Sequence, residues 1–226
     1  MNNQKVNQWL KERNLICEES FGEALYRLGM TYKRDNGITL TEVWERLGTN
    51  RKRVSDWVNH PTNSMMRTAT IINVIEAAAK LFGEEEANTL SYKAGFTRKL
   101  NEKSNVEFKK FLDDKLSLIT STKAELYEQA GIDERAFYRI KTGKHLRKEL
   151  LLPILITMNL TLEEIAEGLN LAGYCLSSSI PTDLLVTHFI KNRQKYMPHI
   201  VLINEINDTL ESLDMPLLMS RIENNS

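Results

Sequence analysis

Apolar side chains recur every three or four residues along most of this chain, with charged and polar residues between them. The stretch after residue 68 is typical, because Ile71, Val74, Ile75, Ala78 and Phe82 fall on one stripe of a helix. Glycine and proline are scarce, and no segment alternates apolar and polar residues over the length of a strand. The pattern therefore predicts an all-α protein.

The stretch TLTEVWERLGTNRKRVSDWVNH, residues 39–60, predicts two short helices joined by a tight turn. Thr39 and Glu42 have the spacing of a capping box, in which each side chain accepts a backbone N–H at the start of the helix. Gly48 suits the left-handed conformation that ends a helix, and Asn50 suits the N-cap of a second helix. Together these features make a helix-turn-helix pattern.

The first turn of the second helix carries three consecutive cations, Arg51, Lys52 and Arg53. Cationic side chains contact DNA phosphates and guanine edges, so this turn has the chemistry of a helix that enters the major groove. The alternative is a plain helical hairpin with a solvated basic face. One motif alone leaves both interpretations open.

An internal repeat favours the first interpretation. The segment TKAELYEQAGIDERAFYRIKTG, residues 122–143, matches the earlier stretch without a gap at a shift of 83 positions. Thr122 and Glu125 repeat the capping box, Gly131 repeats the turn, and Asp133 repeats the second cap. Agreement in register at all these positions rarely arises by chance.

Similar helices flank both motifs. An amphipathic helix precedes each one, at about 21–33 and about 106–118, and an apolar helix and a second short helix follow each one. Five helices per unit are therefore expected. We predict a first domain at 1–100 with an N-terminal extension, a second domain at 101–176, and a C-terminal helical segment at 177–226.

The two motifs resemble the phage repressor and Cro family of helix-turn-helix proteins. EVWERLGTNRKRVSDW is similar to the family's core, and AGIDERAFYRIKTGK also has the glycine, Gly143, that commonly closes the second helix. The chain departs from the family at Trp44, where alanine is common, and at His60, which replaces the closing glycine. The resemblance implies two tandem five-helix domains and a sequence-specific, repressor-like transcriptional regulator of a phage or mobile element.

The resemblance also implies which side chains meet double-stranded DNA, since residues early on the second helix of the motif contact bases and flanking groups hold phosphates. In the first domain these are Asn50, Arg51, Lys52 and Ser55 for bases, and Arg53, Asn59 and His60 for the backbone. In the second domain they are Glu134, Arg135 and Tyr138 for bases, and Arg139, Lys141, Lys144, His145, Arg147 and Lys148 for phosphates.

Charge supports a DNA partner only locally. The 226 residues hold 30 Lys and Arg against 30 Asp and Glu, yet residues 133–148 hold six cations against two acids. A rival interpretation keeps the fold but gives it a protein partner, as an adaptor or an antitoxin-like or anti-defence antagonist. The zero net charge and the acids Asp56 and Glu134 favour this rival.

The C-terminal segment changes character. SSSIPTDLLVTHFIKN predicts a serine-capped helix with Pro181 in its first turn. Ile203, Ile206, Leu210 and Leu213 then follow a 3-4-3 spacing. This apolar seam predicts either the completed core of the second domain or a homodimer through the C-terminal helices.

Other classes of function find no support in the pattern. The histidines lack metal-ligand spacing, no catalytic motif is present, and we expect neither an enzyme nor a cofactor. The longest apolar run, LLLPILITMNL, is too short to span a bilayer and predicts a buried helix. Cys17 and Cys175 are widely separated, and no signal peptide is expected, so we predict a cytoplasmic protein with both thiols buried.

Overall fold

The computed structural model describes residues 3–59, 68–97, 102–119, 122–143, 147–193 and 199–218. Over these ranges the chain is all-α, as predicted, with thirteen helices and no β-strand. The helices are α1 (Asn3–Glu12), α2 (Phe21–Asn36), α3 (Leu40–Arg46), α4 (Arg51–Asn59), α5 (Thr68–Phe82), α6 (Glu84–Lys93), α7 (Glu102–Leu118), α8 (Lys123–Gln129), α9 (Glu134–Lys141), α10 (Lys148–Thr157), α11 (Leu162–Leu171), α12 (Pro181–Asn192) and α13 (His199–Ser212).

The predicted capping boxes are confirmed. At the start of α3, the Thr39 hydroxyl accepts the Glu42 N–H at 3.3 Å, and the Glu42 carboxylate accepts the Thr39 N–H at 2.7 Å. Thr122 and Glu125 form the same pair of bonds before α8. Helices α3 and α8 therefore begin through identical local hydrogen bonds.

The two turns are also alike. Gly48 has φ +67° and Gly131 has φ +63°. The Thr49 N–H donates to the Trp44 carbonyl at 2.9 Å, and the Ile132 N–H donates to the Tyr127 carbonyl at 3.0 Å. These bonds run from the third residue after each helix back to its third-last residue and make a Schellman motif, which requires the left-handed glycine.

Buried positions recur at the same shift of 83 residues. Val54 and Trp57 bury one side of α4, and Phe137 and Ile140 bury the same side of α9. The register also holds for four further buried pairs: Leu25 and Phe108, Leu28 and Phe111, Val43 and Leu126, and Leu47 and Ala130. The repeat in sequence therefore corresponds to a repeat in which residues face the core.

The described helices divide into two compact units. The first unit comprises Leu15–Arg98 and Ser177–Leu184, and the second comprises Met1–Asn14, Lys99–Leu176 and Leu185–Ser226. The units therefore differ from the predicted boundaries at both ends of the chain. Helix α1 belongs with the second half of the sequence, and the 177–226 segment is shared between the units.

In the first unit, α2 packs against α3, α4 and α6. Two glycines on one face of α2 allow this close packing. A Cβ added at Gly29 would overlap the six-membered ring of Trp44, at 2.6 Å from Cζ3, and one at Gly22 would overlap the backbone of Trp57, at 2.5 Å from its carbonyl oxygen. Trp44 is only 2% exposed as a result.

The second unit carries side chains of different volume at the positions equivalent to Gly29 and Trp44. The position equivalent to Gly29 is Leu112, which is fully buried. The position equivalent to Trp44 is Tyr127, which is smaller and only half-buried. Between the units, side-chain volume therefore changes in opposite directions at these two repeat positions.

The start of α12 differs from the serine-capped helix that the sequence predicted. No serine caps this helix, since Ile180 directly precedes Pro181 and its carbonyl accepts the Leu184 N–H at 3.1 Å. The Asp183 carboxylate instead accepts the buried Ser177 N–H at 2.8 Å. Within the first unit, Lys93 holds this segment close to α6, because its ammonium lies 3.4 Å from the Ser179 hydroxyl.

The apolar seam of α13 is buried within the second unit, where α13 packs on α10. Ile203, Ile206, Leu210 and Leu213 are all covered by their own chain. The seam therefore completes a core, and the alternative of a homodimer through these four residues is corrected. Helix α10, predicted as a buried helix, is buried from Leu151 to Thr157.

Two smaller expectations have mixed outcomes. Cys17 and Cys175 are only half-buried, although the sequence predicted burial. Burial is still the main cause that raises the pKa of the Cys17 thiol, and the nearby Glu23 and Glu18 carboxylates act in the same direction. Among the described helices, none combines the length and the apolar character needed to cross a membrane.

The turn geometry predicts a conformational cost at Gly48. Nothing lies within 4 Å of a Cβ added there, so Gly48→Ala should destabilise by about 1 kcal/mol through its left-handed backbone alone. Gly48→Asn should cost less, because asparagine tolerates this conformation better than alanine. Thermal unfolding of both variants checks this, and equal stability of the alanine variant and the wild type would contradict it.

Alanine at Gly29 would clash with a side chain, whereas alanine at Gly22 would clash with backbone. Gly29→Ala should destabilise by about 1–3 kcal/mol, and Trp44→Phe in the same chain should recover part of that loss by removing the ring atoms that clash. Gly22→Ala meets backbone, so Trp57→Phe should recover nothing. Denaturant unfolding of both double-mutant cycles tests the pair, and equal recovery in the two cycles would contradict the packing described.

Candidate nucleic-acid interface

Helix α4 is held in the first unit by one side and exposes the other. Val54 and Trp57 are buried, and the Trp57 ring packs edge-on against Phe21 with 5.5 Å between centroids. Arg51, Lys52, Arg53, Ser55, Asp56 and Asn59 are exposed. The predicted contact residues of α4 thus share the solvent side of a helix whose orientation is fixed by aromatic packing.

The three cations of α4 carry unneutralised charge. No described acidic side chain forms a salt bridge with Arg51, Lys52 or Arg53. Arg27 of the same unit is paired, by contrast, and donates to both carboxylate oxygens of Glu19, at 2.9 and 3.1 Å. That hydrogen-bonded pairing raises the pKa of Arg27 and lowers the pKa of Glu19.

Two polar candidates on α4 already make bonds within the helix. The Asn50 side-chain oxygen accepts the Arg53 N–H at 2.9 Å, which confirms it as the N-cap and leaves only its amide nitrogen for a base. The Asn59 amide donates to the Ser55 hydroxyl at 3.2 Å. These residues can meet DNA, but part of their hydrogen-bonding capacity is committed.

Helix α9 presents the equivalent side in the second unit. Glu134, Arg135, Tyr138 and Arg139 are exposed, and Tyr138 is 47% exposed. The Asp133 carboxylate accepts the Ala136 N–H at 2.6 Å, so α9 is capped like α4. This face is mixed, with an acid, an aromatic ring and two arginines.

Two of the predicted phosphate contacts already have partners within the fold. The Lys148 ammonium donates to the Cys175 carbonyl at 2.6 Å and is partly buried, so it stabilises the second unit. Lys141 forms a salt bridge to Asp113 at 3.3 Å on α7, which neutralises its charge. Arg147 remains exposed. His60, Lys144 and His145 lie outside the described residues.

Sequence reasoning missed Tyr127 as part of the α9 surface. Its ring lies 6.0 Å from Phe137, whose own ring contacts Tyr138 at the same centroid distance. Desolvation raises the pKa of the Tyr127 phenol, and so does the negative charge of Glu134. The repeat gave no signal for this position, because Tyr127 aligns with Trp44, which is buried.

Within the part of the chain that the structure describes, no three His, Cys, Asp or Glu side chains are placed to hold a metal ion. Comparison of the chain with protein-family models, with curated proteins and with solved structures finds no match. The function must therefore be argued from the exposed chemistry of α4 and α9.

The hydrogen bond from Lys148 to the Cys175 carbonyl predicts that Lys148 stabilises the fold. Lys148→Met should destabilise by about 1–2 kcal/mol, because the partly buried Cys175 carbonyl loses its donor. The neighbouring exposed cation gives a matched control, since Arg147→Met removes the same charge and should change stability by less than about 0.5 kcal/mol. Chemical denaturation measures both, and equal losses would contradict the role.

Proposed function

We propose that this protein is a cytoplasmic, sequence-specific DNA-binding regulator built from two tandem repressor-like helix-turn-helix domains. One observation carries the proposal: α4 exposes Arg51, Lys52 and Arg53 in its first turn, with no salt bridge to a described acid. Three neighbouring positive charges, on a helix whose other side is packed in the core, can attract a polyanion such as DNA.

Shape and charge act together in this proposal. An α-helix fits the major groove of B-DNA, and cations at its first turn can contact phosphates or guanine edges. Each phosphate contact releases counterions from DNA, which supplies affinity that does not depend on sequence. A net charge of zero does not oppose such binding, because DNA meets the local charge of α4 and not the total charge of the chain.

The rival function is a protein-binding adaptor. Two observations on the second unit favour it: Lys141 and Lys148 are engaged within the fold, and Glu134 is exposed. A surface with fewer available cations is less suited to phosphates. The rival would bind no native DNA with salt-dependent affinity, whereas a regulator would.

Salt dependence tests the proposal. Changing Arg51, Lys52 and Arg53 together to alanine should flatten the slope of log affinity against log salt by about two or three units. The measurement is a gel-shift or fluorescence titration against fragmented native DNA at several salt concentrations.

A matched control removes the same number of exposed cations from other helices of the unit, by changing Lys33, Arg34 and Lys80 to alanine. This control should leave the slope nearly unchanged. Equal flattening by both triple variants would indicate only non-specific attraction. An unchanged slope in the α4 variant would show that this helix does not meet DNA, and would favour the adaptor.

A further inference from the structure

Arg51 and Glu134 occupy equivalent places in the two units. Each is the first residue of its helix, directly after a capping side chain whose oxygen accepts the N–H of the third residue. The buried faces that orient the helices also match, with Val54 equivalent to Phe137. The two side chains therefore leave their helices in the same direction relative to their own units.

The charges at these equivalent places are opposite. Position 51 is a cation and position 134 an acid, whereas Asp56 in α4 is matched by Arg139 in α9. All four side chains are exposed, and none makes a salt bridge with another described residue. Two charge inversions on helices whose buried faces match suggest different recognition chemistry at the same place in each unit.

Positively and negatively charged side chains bind different base edges in the major groove. An arginine donates two hydrogen bonds to O6 and N7 of guanine, whereas a glutamate accepts a hydrogen bond from the N4 amino group of cytosine. A carboxylate is repelled by phosphate, so Glu134 cannot serve as a backbone contact. The rings of Tyr127 and Tyr138 both lie 6.0 Å from that of Phe137, and the Glu134 side chain is exposed.

We propose that Arg51 selects a guanine and Glu134 a cytosine at equivalent positions of two half-sites. The preferred DNA would then carry the same base pair in opposite orientation at these two positions. The proposal rests on the DNA binding proposed above and adds its base specificity. The competing role for Glu134 is stabilisation of the helix N-terminus, which needs no base at all.

Charge exchange tests this assignment. Full-length wild type, Glu134→Arg, Arg51→Glu and the double exchange are each used to select duplexes from a randomised pool. Wild type should enrich sites with guanine and cytosine at the equivalent positions. Glu134→Arg should enrich sites with guanine at both, and the double exchange should enrich the wild-type site with only the bases at these two positions interchanged.

The double exchange is the matched control, because it keeps the net charge of the chain and hence the non-specific attraction to DNA. Competition binding should show a preference of about fivefold to a hundredfold between matched and mismatched duplexes, as expected for one good base contact. Glu134→Gln should lower the cytosine preference without creating one for guanine. Far-ultraviolet circular dichroism verifies that each variant is folded, and Glu134→Gln alone decides the question if an arginine variant does not fold.

The outcomes separate the two proposals. If wild type enriches no sequence and shows no salt-dependent binding, the proposed function fails. If wild type enriches a site but charge exchange leaves the bases at both positions unchanged, DNA binding stands and the base assignment is overturned. Loss of stability in Glu134→Gln with unchanged base preference would likewise overturn it and assign Glu134 to the helix terminus.

Discussion

The close approach of α2 to α3 and α4 is the constraint on which the first unit depends. Gly22 admits the backbone of α4, and Gly29 admits the ring of Trp44. Side chains at these two positions would push both helices outward. Because α4 is seated in this way, its apolar side is buried and Arg51–Arg53 can only face solvent. The exposed charge is therefore a consequence of packing on α2.

In the second unit, other residues bury the equivalent faces of the helices. The two units therefore share a pattern of buried positions but not the chemistry of their surfaces. A buried Leu112 stands at the position equivalent to Gly29, and α9 buries Phe137 and Ile140. Its outward positions are then free to differ from those of α4 without cost to the core. A repeat with matching burial but inverted surface charge is what two related domains with different targets require.

Paired and unpaired charge have different roles in this molecule. Lys141 with Asp113, and Lys148 with the Cys175 carbonyl, join elements of the second unit, whereas Arg135 and Arg139 remain exposed. Cations that look equivalent in the sequence thus divide between stabilising the fold and forming its surface. Their partners lie outside their own helices, at sequence distances that no local pattern reveals.

The sequence by itself determined the features that depend on neighbours within about five residues. Capping boxes at Thr39 and Thr122, and the left-handed turns at Gly48 and Gly131, close through hydrogen bonds inside one helical turn, so residue type and spacing suffice to predict them. The outward direction of the α4 cations followed from helical period for the same reason.

Only the tertiary structure decided which partner each remaining side chain has. The same apolar spacing in α13 suits a dimer or a core, and it became a core because α10 lies against it. Lys148, which the sequence marks only as a cation, has the Cys175 carbonyl beside it because folding brings that segment there. Such outcomes are set by contacts between distant segments, whose free energy depends on the whole packed chain and leaves no signature in local spacing.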